Sequence, residues 1–243
     1  MADDVLESGF LDQIGNLTHE QTQQACEAAL ANAKDLLAEA DILRSKERCA
    51  RAYFLAHIAC EELGKIPILI TAAVSERTGY PVDWGRIDRV LRSHTGKIGQ
   101  VLFMDSIVGD KGLAQGEAEY QNDLKRMRSY TDAKNASLYS FFAGGQFVRP
   151  LDAFNCEFFD GFRPLAHGRL EAFEGMYVAP VRRAGGVEGF LEKATSPAIR
   201  SFIEILTGAE GRQAFELYKE TGDENQIRAL FDRLISDFGN GAS

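Results

Sequence analysis

One stretch limits what this chain can become: residues 49–74, CARAYFLAHIACEELGKIPILITAAV, apolar on nearly every face of a helix yet charged in its middle. At about 100° per residue, Arg51, His57, Glu61, Glu62 and Lys65 fall within an arc of roughly 140°, with Phe54, Ile58 and Leu69 interleaved among them. A helix apolar almost all round is normally buried, so these charges are expected inside the fold or in a cleft. An exposed Glu61–Lys65 pair contributes only about 0.2–0.5 kcal/mol, whereas an unpaired carboxylate in a core costs far more. One lysine cannot serve both glutamates, because Glu62 points about 100° away from Glu61. A base from elsewhere in the chain is therefore expected at Glu62.

Several helices can deliver it. From Thr18 an Ala-rich helical pattern runs to about Ser45, with Thr18 and Gln21 spaced for a capping box. Gly64 and Pro67 predict a bend in the organising helix just after EELGK. After Gly79, Pro81 and Asp83, the residues Trp84, Ile87, Leu91, His94, Ile98, Val101 and Leu102 recur on one helical stripe. That stripe puts His94 on the apolar side with Lys97 one turn on, a candidate partner pair for Glu62. Val108–Gly116 reads as a loop, and a third long helix is predicted from about Glu117 to Phe142. It carries the dense basic run Lys125, Arg126 and Arg128, then Lys134; this is a solvated face or an RNA-backbone contact.

Residues 146–185 are rich in Gly, Pro and Phe, which predicts an irregular segment lying back on the core with a short helix near Leu165–Glu174. Short helices are predicted at 187–194, 197–220 and 223–238. The division is thus a tail at 1–17, a helical core at 18–145, the aromatic-rich segment, and C-terminal helices at 186–243. The fold class is all-α.

The 243 residues can bury a substantial core. The acidic start MADDVLESGF lacks the pattern of a secretory signal, and the apolar helix is too interrupted by charge to span a bilayer, which predicts a cytoplasmic protein without a membrane partner. Cys26, Cys49, Cys60 and Cys156 show no CxxC spacing and read as free buried thiols. A net charge of −9 argues against broad nucleic-acid binding, so no DNA partner is expected, though a local basic groove remains compatible.

No phosphate-binding glycine loop, nucleophile elbow, HExxH or Glu-x-x-His pair occurs, so neither metal nor cofactor is expected. What remains is glutamate, histidine, lysine, arginine and Tyr139. That inventory suits metal-independent phosphodiester cleavage, with His as acid or base and a cation on the phosphate.

EELGK (Glu61–Lys65) after an Ala-rich helix pair, then RSHTGK (Arg92–Lys97), then KNASLYSFF (Lys134–Phe142) with the later Pro150, resembles the AbiV family of abortive-infection proteins. The resemblance spans about residues 20–150 and implies a HEPN-like helical bundle, a class in which many members are RNases of antiviral and toxin systems. It implies an antiphage effector that cleaves RNA, halts host translation, acts as a homodimer and answers to a phage-encoded or host protein. The Arg-then-His spacing of such ribonucleases falls on Arg89 and His94. Carried over, the resemblance makes His94, Arg89, Glu62 and Lys97 catalytic, and Glu61, Lys65, Lys134 and Tyr139 binding residues, to which the basic run adds Arg126 and Arg128. On one unbroken helix Arg89 and His94 diverge by about 140°, so they converge only across a break or a second chain. A non-catalytic interaction protein is the alternative, its Glu/His/Lys cluster a buried structural network and its aromatic segment a partner surface.

Overall fold

The computed structural model describes residues 14–94, 96–99, 101 and 117–194, with residue 213 alone beyond them. The chain folds as helices around one central rod: α1 (His19–Ser45), α2 (Cys49–Arg77), α3 (Trp84–Arg92) and α4 (Glu117–Leu138). A two-stranded hairpin follows, β1 (Phe141–Ala143) and β2 (Gln146–Val148), then α5 (Pro150–Ala153), α6 (Cys156–Phe173), a π-helical turn (Glu174–Val178), α7 (Ala179–Arg183) and α8 (Val187–Ala194). The all-α class expected from periodicity is what the chain adopts. Among the described residues no helix is long and apolar enough to cross a membrane.

The Thr18 capping box forms in full: the Gln21 amide donates to Thr18 Oγ1 at 3.1 Å, and the Thr18 amide to Gln21 Oε1 at 2.9 Å. Two of the first orphan amides of α1 are thereby satisfied. Small residues bring α1 and α2 together, with Ala29, Ala33 and Ala40 facing a rod whose Ala52, Ala56 and Ala59 are also fully buried. α2 packs most extensively on α1, then on α6 and α4. Burial on three sides explains why seventeen of its positions are buried and why its sequence is apolar nearly all round.

α2 remains one helix through Pro67, which is itself buried. Gly64 also has a packing duty. A Cβ there would lie 2.4 Å from the Lys97 carbonyl oxygen and 3.0 Å from its carbon, so only glycine lets the backbone at Lys97 rest against α2. A departure from expectation lies at Ser93, whose ψ of 122° is extended and ends α3. The chain then resumes helical geometry at residue 94, so the predicted single helix is two. Val108–Gly116 and the predicted helices at 197–220 and 223–238 lie outside the described residues.

The third helix ends at Leu138, not Phe142, because the chain turns into the hairpin. Gly144 and Gly145, at φ 57° and 84°, form its two-residue turn between the paired Ala143 and Gln146. The aromatic-rich segment is mostly helical: α6 alone takes eighteen of its residues. A methyl group placed on Gly161 or Gly168 would meet nothing within 4 Å, so both glycines face open space and need not break the helix. The phenylalanines Phe159, Phe162 and Phe173 point into the core. Arg44–Asp160 and Arg163–Asp41 ion pairs, both bidentate, tie α6 to α1 at the surface.

Two of the four cysteines are not free. Cys49 and Cys156 form a disulfide, with Cα atoms 5.1 Å apart, while Cys26 and Cys60 are free and buried as expected. The partners stand 107 residues apart in sequence and meet because α2 and α6 begin side by side. Local spacing carries no signal of such a contact.

Candidate functional site

At the middle of α2, four residues along from His57, the side chain of Glu61 is almost wholly buried at 1% exposure. Four bases surround it. Lys134 of α4 donates from Nζ to Oε1 at 3.1 Å, and Lys97 Nζ lies 3.5 Å from Oε2. His94 Nδ1 is 2.5 Å from Oε2, and His57 Nε2 is 3.4 Å from Oε1. Burial raises the Glu61 pKa, but contact with His57 and His94 and the charge of Lys134 outweigh that and hold it at about 2. The group is a carboxylate at any physiological pH.

The distant bases expected at Glu62 therefore converge on Glu61. Glu62 instead meets Lys65 of its own helix, 2.7 Å away and three residues on. The reason is rotational: Glu61 sits on the α2 stripe that faces α4 and the segment after Ser93, whereas Glu62 is turned toward the half-exposed edge. Lys65 is thereby committed to a local pair and does not reach the buried cluster.

His94 is on that cluster but not on the apolar side, since its side chain is 59% exposed. The break at Ser93 resets the helix phase, so one ring nitrogen faces Glu61 while the rest of the imidazole faces outward. Arg89 is exposed on α3, its guanidinium beside Gly85, and no hydrogen bond or ion pair joins it to the cluster among the described residues. Tyr139 is 64% exposed just beyond α4. The side chains of Arg126 and Arg128 lie outside the described set, and Lys125 is exposed.

Two further residues belong with this site: His57, expected inside the fold but not among the candidate site residues, and Arg169, which carried no expectation. His57 is 1% exposed, and among the described residues neither ring nitrogen has an aligned hydrogen-bond partner. Burial lowers its pKa, with Glu61 acting in the opposite direction, so it is neutral near pH 7. Its ring is stacked on Phe162 at 6.4 Å and edges Tyr130. Arg169 of α6 is 4% exposed, with Nη1 3.6 Å from Cys60 Sγ. Its signal was present: Phe162, Ala166, Arg169 and Phe173 share one helical stripe, and a lone arginine on such a stripe is a buried cation.

The charges decide what the site can hold. One carboxylate faces two ammonium groups, so the cluster carries a net positive charge before either imidazole is counted. A carboxylate so encircled is a poor cation ligand, and the surplus charge suits an anion. In the neutral tautomer that donates Nδ1–H to Glu61, the free lone pair of His94 is on Nε2.

Comparison with known proteins agrees with these motifs. The family model HEPN_AbiV, described as AbiV, matches residues 21–170. The chain belongs to the AbiV family. Its class is thus a HEPN-like protein of abortive-infection type, and the matched span runs from the first turns of α1 nearly to the end of α6. All four bases around Glu61 fall within that span, as does Arg169. No curated protein and no solved structure matches the chain.

Proposed function

We propose that this AbiV-family protein is a metal-independent RNA endonuclease that halts translation in an infected cell, with the Glu61–His94 pair as its reacting centre. The observation carrying this is the partly exposed imidazole held by a buried, permanently ionised carboxylate. His94 Nε2 takes the proton of a ribose 2′-hydroxyl, and the 2′-oxygen attacks the adjacent phosphorus. Glu61 stabilises the imidazolium that forms. The 5′-oxygen leaves and takes a proton from water, giving a 2′,3′-cyclic phosphate and a free 5′-hydroxyl, and the imidazolium returns its proton to solvent. Lys97 and Lys134 stabilise the charge building on the phosphoryl oxygens.

We also propose a homodimer acting in the cytoplasm, in which the exposed Arg89 reaches the phosphate from its own or the second copy. A phage-encoded or host protein is the proposed activator. Purified protein given total RNA in the presence of a chelator should cut it, and His94→Ala should abolish the cut while retaining its helical circular dichroism. Equal RNA integrity with wild type and variant under activating conditions would overturn the reading.

A second reading is favoured by one observation. Phe142 and Phe147 are 66% and 80% exposed on the hairpin, with their rings in edge contact, and Phe158 is 47% exposed. If the protein acts only by binding another protein, Phe147→Ser should abolish defence and His94→Ala should leave it intact.

A further inference from the structure

The Cys49–Cys156 disulfide closes one end of a row of contacts that leads directly to Glu61. Cys49, Tyr53, His57 and Glu61 follow one another at four-residue intervals along α2. On α6 the matching row begins with Cys156, bonded to Cys49. Phe158 and Phe162 then lie 4.9 and 5.0 Å from the Tyr53 ring, and Phe162 stacks on His57. Farther along, Arg169 meets Cys60. The partners advance together on both helices, so α2 and α6 run parallel, and the first turns of α6 form an aromatic cover over Tyr53 and His57.

We propose that this disulfide is a redox latch on that cover, opened by exchange with a dithiol reductant. Its two halves are suited to exchange. Cys156 is half-buried, and each cysteine is the first residue of its helix, where the N-terminal amides favour a departing thiolate. A reductant thiolate attacks the Cys156 sulfur, and Cys49 leaves as thiolate and takes a proton. The second thiol of the reductant then displaces Cys156. The protein gains two electrons and two protons, and the dithiol becomes a disulfide. Cys26, by contrast, is a structural thiol: burial pushes its pKa up to about 12.

Once the bond is cut, the leading edge is held by noncovalent contacts alone, the buried Phe159 and Phe162 and the rings against Tyr53. Phe154 and Phe158 border a cleft of about 460 Å³ between Ala133 and residues 151–155, into which they can swing. The Arg44–Asp160 and Arg163–Asp41 pairs beyond are partly exposed and weak. Opening at Phe158 and Phe162 uncovers Tyr53 and then His57, and so the inner wall of the Glu61 site. The latch does not rest on RNA cleavage. On the cytoplasmic reading above, cross-links of this kind are usually transient and catalytic or redox-sensing.

Amide hydrogen exchange on the full chain, oxidised and after a dithiol reductant, tests the proposal. Reduction should raise exchange about tenfold in peptides covering 53–61 and 154–162, leaving 19–45 protected and the circular dichroism unchanged. The double variant C49S/C156S should behave like the reduced protein without any reductant. Unchanged exchange in both regions overturns the latch. So does global loss of helix on reduction of the wild type, which would make the bond a structural staple. Neither readout involves RNA, so a failed nuclease assay leaves this test standing.

Discussion

Replacing Glu61 by glutamine removes the one negative charge that meets Lys97, Lys134, His57 and His94 among the described residues, while keeping nearly the same volume. The magnitude follows from linkage. Between the ordinary value of 4.5 and a folded value of about 2, the ionised group contributes about 3 kcal/mol at neutral pH. Removing one partner of a buried pair costs about 3–5 kcal/mol, because the remaining charges stay buried without compensation. The two routes agree, and for a chain of this size they correspond to a fall in Tm on the order of 10 °C. The sign with pH is fixed by the depressed pKa: the stabilisation is complete above about pH 4.5 and is lost as pH falls toward 2. Urea unfolding of wild type and Glu61→Gln at pH 7 and at pH 3 provides the assay. The gap should be about 3 kcal/mol at pH 7 and narrow sharply at pH 3. A gap under about 1 kcal/mol at pH 7, unchanged by acid, would refute the claim that Glu61 is the charge holding three segments together.

Other outcomes test separate parts of the structure. Gly64→Ala puts a methyl 2.4 Å from the Lys97 carbonyl and should cost about 1–3 kcal/mol, read by thermal unfolding, with RNA cleavage falling as His94 and Lys97 are displaced. His57 is held neutral, its folded pKa below 6.5, so its contribution is present above pH 6.5 and is lost as pH falls below it. Wild-type stability should therefore decline on that side, and His57→Gln should flatten the decline in urea titrations from pH 7.5 to 5. Arg163→Ala removes an exposed bidentate contact to Asp41 and should change stability by less than about 1 kcal/mol in the same assay.

Much of the architecture was readable along the chain. Apolar spacing fixes the α1 and α2 rods, the Thr18 box marks where α1 begins, and the apolar girth of residues 49–74 requires a buried central helix. Three motifs, EELGK, RSHTGK and KNASLYSFF, carry both the family and the ingredients of the site. Glycine and proline in the aromatic-rich segment were misleading. They are helix breakers only where the backbone must depart from helical angles, and in α6 both glycines sit on an open face.

Pairing was another matter. Which glutamate receives the distant bases depends on how α2 is rotated against α4 and against the chain after Ser93, and adjacent residues on one helix differ by about 100° in that rotation. The same holds for Gly64, whose role lies in a carbonyl more than thirty residues away, and for Cys49, whose partner is 107 residues distant. Local sequence encodes periodicity and capping because those act within a turn or two. Charge compensation, close backbone approach and disulfide bonding are contacts between remote segments, so they exist only once the rods have packed.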